Sequence, residues 1–99
     1  MNQNVNLMFI CEIMYRKHGL SLYDNESWKR ARACIAKGFE LDANCYIGGL
    51  FIGLREEVGL RAKTFTDQLE TTAALNKEIE ELKKLDFPTL KKMVSDFQT

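Results

Sequence analysis

The stretch WKRARACIAKGFELDANCYIGGLFIG, residues 28–53, constrains this chain most. Two helical patterns meet in it at ELDAN, so it demands two helices that reverse on one another over a short bend. In the first pattern Trp28, Ala31, Cys34, Ile35 and Gly38 share a face, with Lys29, Arg30, Arg32 and Lys37 on the others. Asp24 or Asn25 is suited to cap that helix, with Glu26 in its first turn. In the second pattern, expected over 43–58 with Asp42 as cap and Gly59 as stop, Cys45, Gly49 and Gly53 recur at every fourth residue. Exposed, each glycine would cost about 1 kcal/mol against alanine, so a smooth stripe implies a helix packed closely against it. A β-hairpin turning at Gly48-Gly49 is the competing reading.

Ahead of this unit, Asn2 to Asn6 is polar and reads as a frayed start. LMFICEIMY, residues 7–15, is far shorter than the ~20 residues that span a bilayer and is interrupted by Glu12, so it reads as a core helix over 5–18. Arg16, Lys17 and His18 suit its C-terminal end, and Gly19 is a candidate stop; Leu20 to Tyr23 are equally able to add a turn. Beyond Gly59 a long pattern runs from Leu60 to about Leu85, with Thr66 or Asp67 plus Glu70 as a possible restart. Asp86 and Pro88 open a last helix with Phe87, Leu90, Val94 and Phe97 on one side. The expectation is one all-α domain over 1–99, with five or six helices.

Composition narrows the function. Fourteen basic residues balance fourteen acidic ones, so no net field attracts nucleic acid or an anionic membrane. The three cysteines, Cys11, Cys34 and Cys45, lack paired spacing, and His18 is the sole histidine, so no zinc site is expected. Reduced cysteines agree with a cytosolic location. There is no phosphate loop, dinucleotide fingerprint or His/Cys pair, and neither catalysis nor a cofactor is expected. A helix-turn-helix regulator is the nucleic-acid alternative, drawn from the basic helix around Trp28. Its second helix, beginning ANCYIGG, brings no Arg, Lys or Gln to base edges. A small phage-type inhibitor would share the same composition.

The residue order from Gly19 to Gly53 resembles a tetratricopeptide repeat. These two glycines are 34 residues apart, the repeat's period. Tyr15 and Gly19 take places in the first helix; Trp28, Ala31 and Gly38 take places in the second; Phe39 to Asn44 takes the place of the turn, with Ala43 where proline is usual. Gly53 restates Gly19, while Gly49 replaces the large residue that should follow Tyr15. The resemblance implies stacked antiparallel hairpins with a C-terminal capping helix. It makes Gly19, Trp28, Ala31, Gly38 and Gly53 scaffold, and Tyr46, Ile47, Leu50, Phe51 and Leu54 contacts for a partner helix laid in an apolar groove. That face is either the groove or is covered by the C-terminal helices. The order of the NLMFICEIMY, CIAKGF and DFPTLKKMVSDFQT segments is also similar to the small needle-subunit chaperones of bacterial type III secretion. This implies a cytoplasmic hetero-oligomer with a needle subunit and a second small helical co-chaperone.

Overall fold

A computed structural model describes residues 3–97; Asn2 of the expected frayed start, and Gln98 and Thr99 of the closing segment, lie outside it. Five helices make up the described chain, and no strand occurs in it: α1 (Gln3–Lys17), α2 (Glu26–Lys37), α3 (Glu40–Gly59), α4 (Phe65–Lys83) and α5 (Phe87–Asp96). The all-α expectation holds, and Gly48-Gly49 lies inside a continuous helix rather than in a hairpin.

α1 is the centre of the packing. Apolar residues occur all round it, so it is stable only when surrounded. It packs on α3, α5 and α4, and buries Met8, Ile10, Cys11, Ile13, Met14 and Tyr15. Its start is not frayed: Asn4 is buried, and its Nδ2 donates to the Glu40 carbonyl (3.1 Å) and to Glu40 Oε2 (2.7 Å), pinning the N-terminal ends of α1 and α3 together. At the other end Gly19 takes φ +69°, which a residue with a Cβ resists. The Leu20 N–H then reaches back to the Tyr15 carbonyl and the Gly19 N–H to Arg16, so the helix stops there instead of running on to Tyr23.

The helix starts follow local chemistry. Asn25 caps α2 by accepting from the Trp28 N–H at 3.1 Å, and Asp86 caps α5 by accepting from Thr89 at 3.0 Å, with Pro88 in the first turn. The helix expected from Leu60 begins only after Thr64, whose hydroxyl accepts from the Asp67 N–H at 3.0 Å, two or three residues before the expected restart at Thr66 or Asp67. The bend between α2 and α3 is shorter than the repeat-like turn expected over 39–44. Gly38, at φ +80°, reverses the chain, Phe39 N–H returns to the Cys34 carbonyl, and α3 begins at Glu40. Asp42 is therefore a first-turn acid favoured by the helix dipole, not the cap.

Gly19 and Gly38 thus serve as helix stops, not as small residues inside a crossing. Trp28 and Ala31, 6% and 0% exposed, are packed in the chain's own core. Gly53 stands at a close approach, where an added Cβ would meet the Tyr15 hydroxyl at 3.2 Å.

Candidate functional site

The contact assignment for α3 is corrected by burial. Ile47, Leu50 and Leu54 are at most 1% exposed and Phe51 is buried; all four belong to the chain's own core, while Tyr46 is partly buried against it. Side chains without accessible surface are not a docking face. They are covered chiefly from the N-terminal side, because α1 and α2 are the main neighbours of α3, with α4 adding to them. The Tyr15 hydroxyl donates to the Leu50 carbonyl at 2.5 Å in the middle of this contact. Tyr46 instead faces α2, where Arg30 lies 5.9 Å from its ring centroid.

The physical reason is the relative gain from each face. Burying a Leu, Ile or Phe side chain stabilises by about 1.5–3 kcal/mol, whereas a glycine has no side chain to bury. α3 therefore turns its heavy face inward. Cys45, Gly48, Gly49 and Ile52 are exposed, and only Gly53 of the expected stripe stands at a close approach.

What the structure leaves open lies elsewhere. α1 and α2 both lean on α3 but touch each other little, so a trough runs between them. A hollow of about 460 Å³ is lined by Val5, Met8, Phe9 and Glu12 of α1, Trp28, Arg32, Ile35 and Ala36 of α2, and Tyr23 of the connection. A second hollow of about 200 Å³ shares Glu12, Tyr23 and Trp28 with it and continues towards Arg16 and Leu20. From Val5 to Arg16 the α1 wall is about 16 Å long at 1.5 Å per residue, the length of three helical turns.

Trp28 is the hinge of the site. Its ring lies in the core cluster yet lines both hollows, and its Nε1–H is buried with no acceptor among the described residues. Phe9 is held at the far side by Phe87 of α5, ring centroids 5.3 Å apart. At the mouth, Arg16 pairs with Glu12 at 3.3 Å and stacks on Tyr23, its guanidinium carbon 5.3 Å from the ring centroid, while also donating to the Tyr23 hydroxyl. The α1 wall is thereby neutralised. The α2 wall is not: Arg32 and its neighbour one turn back, Lys29, are exposed and form no ion pair among the described residues.

No grouping of three His, Cys, Asp or Glu side chains able to hold a metal occurs among the described residues. Nor is any helix there long and apolar enough to cross a membrane. A further hollow of about 600 Å³ by the α3–α4 connection mixes Val58, Ala62 and Ala74 with Arg61, Lys63, Asp67 and Glu70, so both signs of charge ring it.

The trough was legible only in part. Trp28 stood out as the aromatic of an otherwise basic helix, but its partners Val5, Met8 and Phe9 come from a helix separated from it by the Gly19–Asn25 connection. Comparison of the chain with protein-family models, with curated proteins and with solved structures gives no match.

Proposed function

We propose that this chain is a non-catalytic holder of another protein's helix, with the α1–α2 trough as its seat. The observation that carries the reading is the trough itself: an α1 wall about three turns long facing α2, with Val5, Met8, Phe9, Trp28 and Ile35 as its apolar lining. A helix presenting anchors at i, i+4 and i+7 fills such a groove, and aromatic floors supply large contact area. The tetratricopeptide resemblance supports a binding scaffold. The similarity of segment order to the needle-subunit chaperones makes a secretion component, held in the cytoplasm beside a second short helical protein, the first partner class to try.

The test is to purify the chain from its native host, identify the protein that travels with it, and repeat the purification with Ala36→Arg. Ala36 is exposed on α2 and lines the trough, so arginine there fills the seat without disturbing the core. Release of a helical partner by Ala36→Arg, with retention by a control substitution of exposed Ile52 on α3, is the expected result. Retention by both variants, or a chain that travels alone, refutes the reading.

A further inference from the structure

Resting on the trough as the binding seat, we infer that the partner helix carries acidic residues along the flank that lies against α2. The argument is charge balance at the rim. On the α1 side Glu12 is already answered by Arg16, and Arg16 is further occupied by Tyr23. On the α2 side Arg30 is occupied by Glu26 and Tyr46, on the face turned away from the trough. Arg32 lines the trough, and Lys29, three residues before it, shares that edge. Both are exposed and neither has an ion-pair partner among the described residues. The rim is therefore locally positive although the chain as a whole is neutral. A basic flank docked there is repelled by two fixed cations, a neutral one gains only the floor, and a flank with carboxylates one turn apart meets both.

The experiment uses the full chain and three synthetic helical peptides of about 16 residues. All carry the same leucine stripe at i, i+4, i+7 and i+11, and their flanks are glutamate, glutamine or lysine. None contains tryptophan, so Trp28, the chain's single tryptophan, reports where binding occurs by its emission, while anisotropy of the labelled peptide reports affinity. The expected result is that the glutamate peptide binds about fivefold more tightly than the glutamine peptide, the size two exposed ion pairs supply. That advantage should vanish between about 0.05 M and about 0.5 M salt. In the Lys29→Glu/Arg32→Glu chain, with circular dichroism unchanged, the order of the glutamate and lysine peptides should reverse. Equal binding of all three peptides with a shift in Trp28 emission overturns the acidic partner and leaves the seat in place. A preference of the unaltered chain for the lysine peptide does the same. Emission that responds to none of them overturns the seat as well. Emission that changes with protein concentration alone, together with dimerisation, makes a second copy the occupant and also overturns the inference.

Discussion

The Tyr15–Gly53 contact is the place where the α1–α3 packing is most sharply constrained. The Tyr15 hydroxyl donates to the Leu50 carbonyl at 2.5 Å, and a Cβ on Gly53 would stand 3.2 Å from the same oxygen. Gly53→Ala therefore has two opposing effects. Alanine in a helix interior is about 1 kcal/mol better than glycine. Accommodating its methyl makes the hydroxyl give by a few tenths of an ångström, which strains a buried hydrogen bond worth about 1 kcal/mol in all. The strain offsets much of the gain, so Gly53→Ala alone should change stability by less than about 0.5 kcal/mol. Tyr15→Phe removes the obstructing oxygen and itself costs about 1 kcal/mol. Added to that variant, Gly53→Ala should recover the full propensity gain of about 1 kcal/mol, a coupling that a double-mutant cycle isolates. Urea unfolding followed by far-ultraviolet circular dichroism reads this as a midpoint rise of somewhat under about 1 M in the Tyr15→Phe background and a smaller one in the parent. Equal effects of Gly53→Ala in both backgrounds would refute the close crossing. Gly53→Leu cannot be accommodated by moving one hydroxyl and should cost about 1–3 kcal/mol or more.

Other outcomes follow from burial. Leu54→Asp places a charge at a site with 0% exposure and should unfold the chain, seen as loss of helicity, whereas a contact-face residue would leave helicity intact. The thiols should react with an aromatic disulfide reagent in the order Cys45, Cys34, Cys11, with Cys11, fully buried, reacting only at the rate of unfolding. Burial, with smaller contributions from Cys11 and Glu57, pushes the Tyr15 phenol up to about 12 from an ordinary 10.0. The unfolded chain therefore loses this proton first, and stability should fall as pH rises from about 10 to about 12, less steeply in Tyr15→Phe. Burial also pushes the Cys11 thiol up, so the alkaline decline should begin near its ordinary value of 9.0 and flatten at its onset in Cys11→Ala.

The parts of the fold that were legible in the sequence are those set by neighbours in the chain. Asp86 as a cap, a cap for α2 at Asp24 or Asn25 and the apolar first helix depend on residues within one or two turns, whereas those neighbours left the end of α1 open between Gly19 and Tyr23. The inward face of α3 was not legible, because small residues at regular spacing serve a tight crossing or an exposed edge equally well. Only the competition with Ile47, Leu50, Phe51 and Leu54 for core volume decides between them. The first half of α4 illustrates the same limit: Phe65 and Leu69 continue the apolar spacing of Leu75, Ile79 and Leu82, yet are 74% and 57% exposed because that end of the helix extends past the core. The trough needs two helices to share a third without closing on each other, which is a property of their relative placement.

The central claim is that a partner helix lies between α1 and α2, and Trp28 offers the most direct reading of it. As the only tryptophan, it gives a single indole N–H signal in a two-dimensional nitrogen–proton spectrum. On addition of the glutamate-flanked peptide that signal should move together with those of Met8, Glu12 and Ile35, while Ile52, Phe65 and Leu69 stay in place. A spectrum in which Phe65 and Leu69 move and the Trp28 indole does not would contradict it.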